Sequence, residues 1–330
     1  MKYKKILVTG TAGFIGYHLA KKLLEKGIFV TGVDCFTDYY DVRIKKRRND
    51  ILKKYKNYRF YKTDIADYGK LEEIIKKEKP EVIVHLAAQA GVRYSLLNPW
   101  AYESSNNLGT LNIFECAKNN KIRRVLLASS SSVYGSNRKV PFKESDRTDN
   151  PISVYAATKK ANEVLAHSYY HLYGIETAVM RFFTVYGEYG RPDLAIFKFA
   201  RNIFLGKQIN VYNGGKMMRD FTYVDDIVSG VMAILKKKDL KYDIYNLGGD
   251  NPVSLMEFIR LMEKELGKKA IIKSLPMQQG DIKKTMADVS KARRELGFKP
   301  KTKIETVVKK FVRWFLDNKS WVLVLDEPKQ

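Results

Sequence analysis

Residues 5–16 of the chain read KILVTGTAGFIG, and this stretch decides the fold. Its apolar start, residues 5–9, is typical of a buried strand, and the three glycines that follow have the spacing of a dinucleotide-binding turn. Glycine lets a backbone turn tightly and approach a pyrophosphate, and the N-terminus of the following helix favours an anion. The residues predicted to form this cofactor-binding turn are Gly10, Gly13, Phe14, Ile15 and Gly16.

Short apolar runs alternate with helical patterns along the rest of the chain. Strands are predicted at 5–9, 28–33, 58–62, 82–86, 124–128, 177–181 and 242–247, and helices at 13–26, 71–76, 225–235 and 305–317. This order predicts an α/β fold, a doubly wound parallel (Rossmann) sheet with helices on both faces and a smaller α/β substrate-binding domain. The predicted division is 1–181 plus 217–250 for the dinucleotide-binding domain and 182–216 plus 251–330 for the substrate domain. No role is predicted for the apolar tail 321–325.

An acidic residue, Asp34, ends the second predicted strand. Its carboxylate can bind both hydroxyls of a ribose there, and it would repel a 2′-phosphate, so the predicted cofactor is NAD and not NADP. Asp64 and Ile65, after the third strand, are placed to meet the adenine. Three glycines alone could form an ordinary tight turn, but the strand, the helix and the acid at the required places favour a cofactor site.

A phenol and an ammonium group lie four residues apart in Tyr155 and Lys159, one turn apart on one face of a helix. A tyrosine has a reference pKa of about 10, too high for a base at neutral pH. We expect the lysine cation, together with a positive nicotinamide ring, to lower the pKa of Tyr155. Ser130, just past a predicted strand, can hydrogen-bond the same substrate hydroxyl. These three residues are the predicted catalytic group.

Composition excludes several other classes of protein. Hydrophobic residues make up 45% of the 330 residues, enough for a normal core, and no apolar run reaches the length of a membrane span. Two cysteines and four scattered histidines suggest no disulfide scaffold and no metal site, and they fit a cytoplasmic location. The net charge of +24 raises the possibility of nucleic-acid binding. However, the basic residues are spread over the whole chain, as in 44–48 and 236–238, which indicates a lysine-coated surface and no nucleic-acid partner.

Five stretches carry a family resemblance. They are AAQAGVRYS at 87–95, SSSSVYG at 129–135, YAATKKANE at 155–163, RFFTVYG at 181–187 and RDFTYVDD at 219–226. On these motifs the chain resembles the extended short-chain dehydrogenases/reductases over nearly its full length, and within them the UDP-glucuronate 4-epimerases.

The resemblance implies a mechanism and a substrate, a UDP-sugar. Tyr155 would take the proton of the C4 hydroxyl while hydride passes from C4 to NAD, the 4-keto sugar would turn over, and hydride would return to its other face. NAD would stay bound, since there is no net redox change. The resemblance also places Ala87 at the cofactor.

Several residues acquire substrate roles from the same resemblance. Sugar 4,6-dehydratases carry an acidic pair where this chain has Ser131 and Ser132, and these hydroxyls, with Thr184, are expected to hold a uronate carboxylate. UDP-galactose epimerases usually have asparagine at the position of Thr184. Ordinary turn capping is the alternative role for these hydroxyls.

Anionic groups of the substrate are expected to meet arginines. Arg219 resembles the diphosphate-binding arginine, Arg191 and Arg93 are further candidates, and Asp281 resembles a ribose-contacting acid. Many relatives have an arginine where Gln278 stands.

Two other functions are compatible with the same motifs, and the helices predict an assembly state. The alternatives are a 4-epimerase for another nucleotide sugar, such as UDP-glucose or a UDP-N-acetylhexosamine, and a catalytically silent NAD-binding regulator. The segments 104–119 and 153–173 have apolar residues on more than one helical face. Relatives of this fold pair such helices between subunits, so a homodimer is expected.

Overall fold

The computed structural model describes residues 3–277 and 284–326. The strands are β1 (Lys5–Thr9), β2 (Phe29–Asp34), β3 (Tyr58–Lys62), β4 (Val82–His85), β5 (Arg124–Ser130), β6 (Glu176–Phe182), β7 (Thr184–Tyr186), β8 (Gln208–Tyr212), β9 (Met218–Tyr223), β10 (Tyr242–Leu247), β11 (Pro252–Ser254) and β12 (Ile271–Leu275). Each strand predicted from the sequence is present, with ends that agree within two residues.

Helices connect and cover these strands. They are α1 (Phe14–Leu24), α2 (Val42–Leu52), α3 (Tyr68–Glu78), α4 (Tyr94–Leu97), α5 (Pro99–Tyr102), α6 (Gly109–Asn119), α7 (Val154–Tyr173), α8 (Ala195–Phe204), α9 (Val224–Lys236), α10 (Leu255–Leu266), α11 (Ser290–Leu296), α12 (Ile304–Asp317) and α13 (Lys319–Val322). A π-helical segment, Glu103–Leu108, joins α5 to α6. No helix within the described ranges combines the length and the apolar character that a bilayer span requires.

The central sheet has seven parallel strands in the order β10-β6-β5-β4-β1-β2-β3. The strand order reverses between β1 and β4, so the crevice at the carboxyl ends of these two strands is where such sheets bind ligands. This architecture confirms the predicted doubly wound parallel fold.

The apolar sequence of β1 follows from burial on both faces of the sheet. Ile6 and Val8 pack into a core with α1, whereas Leu7 points to the opposite face and packs with Ile74 and Phe114. Ile6, Leu7 and Val8 are all completely buried. A strand covered on both faces shows a continuous apolar run and not an alternating one.

Two small sheets build the remaining part of the molecule. β9 lies between β11 and β7, and β12 pairs with β8 in parallel. The helices α8, α10 and α12 pack together beside these sheets. The described parts of 182–216 and 251–300, which belong to the predicted substrate domain, thus contain regular strands and helices.

The C-terminal tail packs against the rest of the molecule. Val322 and Leu325 are buried, and the indole of Trp321 lies against Trp314, at 6.0 Å between ring centroids. Arg43 of α2 donates to the carbonyl of Val324 at 2.7 Å. The tail, which had no predicted role, therefore joins α2 to α12.

Candidate active site

One cavity of about 370 Å³ opens at the carboxyl ends of the central strands. It collects most of the predicted site residues, including all of those predicted for the cofactor and for catalysis. The predicted residues that line it are Gly10, Gly13, Phe14, Ile15, Gly16, Asp34, Asp64, Ile65, Ala87, Ser130, Ser131, Ser132, Tyr155, Lys159, Thr184 and Arg191. Cofactor, catalytic and substrate candidates thus share one space.

The glycine-rich turn between β1 and α1 has no room for side chains at Gly10 and Gly16. Gly10 has a positive φ of 74°, and a Cβ there would lie 2.9 Å from the backbone nitrogen of Ala87. A Cβ at Gly16 would collide with the carbonyl oxygen of Gly10. The helix α1 starts without a side-chain cap, so its first N–H groups are available to an anion.

Hydrogen bonds from two backbone N–H groups hold the carboxylate of Asp34 in place. One carboxylate oxygen accepts from the backbone N–H of Ala12 at 3.0 Å and the other from Phe36 at 2.9 Å. A carboxylate has about four lone-pair positions, so Asp34 can still accept from ribose hydroxyls. Its two bonds fix the carboxylate beside the glycine-rich turn.

Ser130, Tyr155 and Lys159 meet across the cavity floor. The helix α7 begins where Ser153 accepts from the N–H of Ala156 at 3.1 Å, and it presents Tyr155 and Lys159 one turn apart. The ammonium of Lys159 donates to the carbonyl of Ala128 at 2.9 Å. The β5 strand therefore holds both Ser130 and the partner of Lys159.

Burial has the largest effect on the pKa values of Tyr155 and Lys159. It raises the pKa of Tyr155, against a hydrogen bond with Ser130 and the charge of Arg191, which lower it. Burial lowers the pKa of Lys159 to about 8, although the charge of Glu163 raises it. The sequence led us to expect a lowered pKa for Tyr155, but the protein groups alone give the opposite direction. A lowered value would have to come from the charge of a nicotinamide ring.

Asn106, in the π-helical segment, was not predicted as a site residue. It is fully buried, and its oxygen accepts from the N–H of Gln89 at 2.8 Å while its nitrogen donates to Thr158 at 3.0 Å. It thereby fastens the loop after β4 to α7 between Tyr155 and Lys159. Asparagine is unfavourable within helices, which was the available signal in the sequence.

The substrate side of the cavity contains hydroxyl groups and one guanidinium. The hydroxyls of Ser130 and Ser132 lie 3.1 Å apart. Arg191 donates from Nε to Asp193 at 2.9 Å, and burial disfavours its charge, but Asp193 outweighs burial and raises the pKa of Arg191. Tyr39 donates to the same Asp193 carboxylate at 3.2 Å. Asp193 was not predicted, because its role depends on the turn of the chain that follows Arg191.

The remaining predicted residues lie elsewhere. Arg93 is exposed and its guanidinium lies over the ring of Tyr212, 5.4 Å from the centroid. Arg219 is on β9, where it donates to the carbonyl of Met218 at 3.1 Å. Neither is among the described residues that line the cavity. Asp281, like Gln278, lies outside the described residues.

Metal ligands do not cluster in the described structure: residues 3–277 and 284–326 contain no group of three or more histidine, cysteine or acidic side chains placed to hold an ion. The two cysteines, Cys35 and Cys116, are both free thiols.

Comparison with known proteins identifies the family. The family described as GDP-mannose 4,6-dehydratase matches residues 7–311. The chain belongs to this family. This family is one of the extended short-chain dehydrogenase/reductase families, so the resemblance found in the motifs is confirmed.

Relatives and solved structures match nearly the whole chain. An uncharacterized protein from Methanocaldococcus jannaschii is 58% identical over 327 residues, covering 98% of this chain and 100% of the relative. UDP-glucuronate 4-epimerase from Thermodesulfobacterium geofontis is 45% identical over 313 residues, covering 94% and 96%. The crystal structure of UDP-glucuronic acid 4-epimerase from Bacillus cereus, in complex with UDP-glucuronic acid and NAD, has a TM-score of 0.90 at 32% identity and covers 95% of this chain and 99% of that chain.

Proposed function

We propose that the protein converts UDP-glucuronate to UDP-galacturonate by NAD-dependent 4-epimerisation through a transient 4-keto sugar. The proposal rests on the set of residues that line one cavity. Tyr155 and Ser130 face the same space as the glycine-rich turn and as Thr184 and Arg191. A dinucleotide site, a proton acceptor and donors for a carboxylate are thereby combined. The similarity to UDP-glucuronate 4-epimerases over nearly the whole chain supports the same substrate.

The cavity fits NAD. The uncapped N-terminus of α1 offers backbone N–H groups to a pyrophosphate. The Asp34 carboxylate suits a ribose that carries free 2′ and 3′ hydroxyls. Asp64, Ile65 and Ala87 line the same side of the cavity. When bound, NAD supplies a reversible hydride acceptor for C4 of the sugar.

The protein's own groups handle the proton. Tyr155 is the base that takes the proton of the C4 hydroxyl and returns it at the end of the cycle, and Ser130 hydrogen-bonds the same oxygen. Lys159, held at the carbonyl of Ala128, places a cation one helical turn from the phenol. That cation favours the phenolate form when the nicotinamide charge is also present.

The hydroxyls beside the sugar favour epimerisation over other fates of the 4-keto intermediate. Ser131 and Ser132 cannot act as the strong acid and base that loss of water requires, which disfavours a dehydratase. The 4-keto uronate is a β-keto acid that can lose carbon dioxide. Hydrogen bonds from Ser131, Ser132 and Thr184, with the charge of Arg191, would hold the carboxylate in an orientation that disfavours this loss.

Two alternatives stay open at this site. Another nucleotide-sugar 4-epimerase, for UDP-glucose or a UDP-N-acetylhexosamine, would use the same Tyr155 and NAD. A catalytically silent NAD-binding regulator would not need Ser130, Tyr155 and Lys159 together in one cavity, and their convergence disfavours it.

We also propose a homodimer. Large apolar side chains are exposed along α4 to α7, which is unusual for a surface in contact with water only. The exposed fraction is 80% for Trp100 and 63% for Leu97. Leu108, Leu111, Val164 and Leu172 are further exposed apolar residues on these segments. A second copy of the chain that pairs the same helices would cover them.

We propose a division into two interleaved domains, with the three-stranded sheet shared between them because β9 pairs with β7 and β11. Residues 1–181 plus 217–250 contain the seven-stranded sheet and form the NAD-binding domain, and 182–216 plus 251–330 form the nucleotide-sugar-binding domain. The free thiols of Cys35 and Cys116 are consistent with a cytoplasmic location.

The decisive experiment is turnover. Purified protein is incubated with UDP-glucuronate or, in parallel, with UDP-glucose, and the products are separated and identified by NMR; heat-denatured protein is the control. We expect UDP-galacturonate to form, and the supernatant of denatured protein to contain NAD and not NADP. Preferential turnover of UDP-glucose would support the first alternative, and bound NAD without any turnover would support the second.

A further inference from the structure

Arg48 lies on the buried face of α2, although it belongs to the basic run 44–48 that the sequence suggested was surface. Its side chain is completely buried, together with Ile44 and Leu52 on the same helical face. Arg48 is not among the described residues that line the active-site cavity. It is a buried cation with no direct role in the mechanism above.

The guanidinium of Arg48 bridges two turns that are far apart in sequence. Nη1 donates to the carbonyl of Ala12, within the glycine-rich turn, at 2.8 Å. Nε and Nη2 donate to the carbonyl of Tyr189 at 3.1 and 2.6 Å, and Nη2 also reaches that of Gly190 at 3.1 Å. Arg48 therefore connects the turn that would hold the pyrophosphate to the residues immediately before Arg191.

The second of these turns is held in an unusual conformation. Tyr189 has a positive φ of 53°, which a residue other than glycine rarely adopts unless its surroundings enforce it. Its ring is packed between Tyr17 and Trp314, with centroid distances of 5.1 and 5.0 Å. The ring of Tyr189 is held by these contacts and its carbonyl by Arg48. Tyr189 therefore fixes the backbone position from which Arg191 reaches the cavity.

The positive charge of the buried Arg48 guanidinium is a second observation that bears on its role. The described hydrogen bonds of Arg48 all end on uncharged oxygens, namely three backbone carbonyls and the hydroxyl of Tyr40. A buried cation is costly unless an anion compensates it. Arg48 contacts the Ala12 carbonyl in the glycine-rich turn, which lies at the N-terminus of α1, where a pyrophosphate anion would bind.

We propose that Arg48 is a positioning residue that couples the pyrophosphate-binding turn to the turn carrying Arg191, so that NAD and the uronate ligand each stabilise the site of the other. The proposal rests on the proposed function, because the ligand of Arg191 is taken to be a uronate carboxylate. Coupling of this kind is reciprocal in the binding equilibria: a ligand on Arg191 tightens binding of NAD by the same factor by which NAD tightens binding of that ligand. We expect the tighter binding of NAD to appear mainly as slower release.

The test measures release of NAD from the loaded enzyme after dilution into a trap, with and without UDP-glucuronate. Arg48→Lys keeps the charge and loses the fork that reaches both turns, and Arg48→Met removes both. Lys46→Met, an exposed position on the same helix, is the matched control. Melting temperatures are recorded in parallel, because a merely structural role would lower them without changing the effect of UDP-glucuronate on release.

We expect UDP-glucuronate to slow release of NAD in the wild type and in Lys46→Met. In Arg48→Lys we expect basal release about tenfold faster and little remaining effect of UDP-glucuronate, and in Arg48→Met a larger basal increase. Wild-type basal release and an undiminished effect of UDP-glucuronate in folded Arg48→Lys would overturn the proposal. If UDP-glucuronate is turned over by the wild type but has no effect on release of NAD, the coupling is overturned while the proposed function stands. If it is neither turned over nor active on release, the proposed substrate is wrong.

Should neither Arg48 variant fold, Tyr189→Gly tests the coupling from the other turn. Glycine accepts the positive φ and removes only the caged ring. We expect a smaller effect of UDP-glucuronate with wild-type basal release. An unchanged effect of UDP-glucuronate in Tyr189→Gly would contradict the coupling.

Discussion

Two opposing effects act on the phenol of Tyr155. Burial raises its pKa, whereas the hydrogen bond with Ser130 and the charge of Arg191 lower it, and burial dominates. Because the base must be the phenolate, we expect epimerisation to become faster as pH rises through the neutral range, until the phenol is ionised. The pH profile of kcat would show this as a rising limb.

Replacement of Tyr155 tests its role directly. Tyr155→Phe keeps the ring and removes the proton acceptor, so we expect turnover to fall by at least about a hundredfold, as for loss of a general base. Binding of UDP-glucuronate, measured by calorimetry, should change little. Tyr173→Phe, at an exposed position on the same helix, is the control. Near-normal turnover in Tyr155→Phe would place the base elsewhere.

Selectivity for a uronate should depend on Thr184. Thr184→Val keeps the shape and removes a donor to the charged C6 carboxylate, a bond worth roughly 1.5–3 kcal/mol when buried. We expect the ratio of kcat/KM for UDP-glucuronate over UDP-glucose to fall by about tenfold or more. Activity on UDP-glucose in the same variant is the internal control. An unchanged ratio would mean that other groups, such as Arg191, read the carboxylate.

Local patterns in the sequence predict some of these residues and not others. Asp34 and Tyr155 stand at fixed distances from a strand or from a partner on one helix, so a short window of sequence is enough to find them. Asn106, Asp193 and Arg48 acquire their roles only from residues brought close by the fold. Arg48 in particular contacts Tyr189, 141 positions away. A basic run gives no signal that two of its members, Lys45 and Arg48, are buried.

The same contrast appears among the helices and strands. β1 and the other central strands are buried on both faces, and their apolar runs predict them. α2 was not predicted, since its sequence VRIKKRRNDIL is strongly polar although one face is buried. β7 and β11 have only three residues each, too few to show a period. They are strands because β9 pairs with both of them.

The C-terminal tail is an element whose contribution to stability can be measured. Trp321 lies against Trp314 and under the guanidinium of Arg47, 4.6 Å from the ring centroid. Since Trp321 is half-buried, we expect Trp321→Ala to lower the free energy of unfolding by about 2–3 kcal/mol, near the lower end for large aromatic truncations. The melting temperature should fall by about 3–4 °C. Val324→Ala, at an exposed position in the same tail, should change it little. Equal melting temperatures for the two variants would contradict a structural role of the tail.

For the whole molecule, the exposed apolar surface on α4 to α7 predicts that a second subunit covers these helices. We expect a homodimer by light scattering at micromolar concentration, and a monomer for Trp100→Glu, because a charge would have to be buried at the interface. Ile271→Glu changes a comparably exposed apolar residue on β12 and should leave the dimer intact. A wild-type protein that is monomeric at this concentration would contradict the proposal.

The pairing of β10 with β6 in the central sheet, and of β9 with β7 in the three-stranded sheet, joins stretches of chain that are far apart in sequence. Between α8 and β8 the chain passes through a short turn at Leu205 and Gly206, where Leu205 is exposed. A cut in this turn would leave β6 and β7 in one fragment and their partners β10 and β9 in the other, so the two sheets would still hold the fragments together. The enzyme should therefore tolerate being nicked there, and its gene could be divided at this codon into two parts whose products reassemble when they are expressed together.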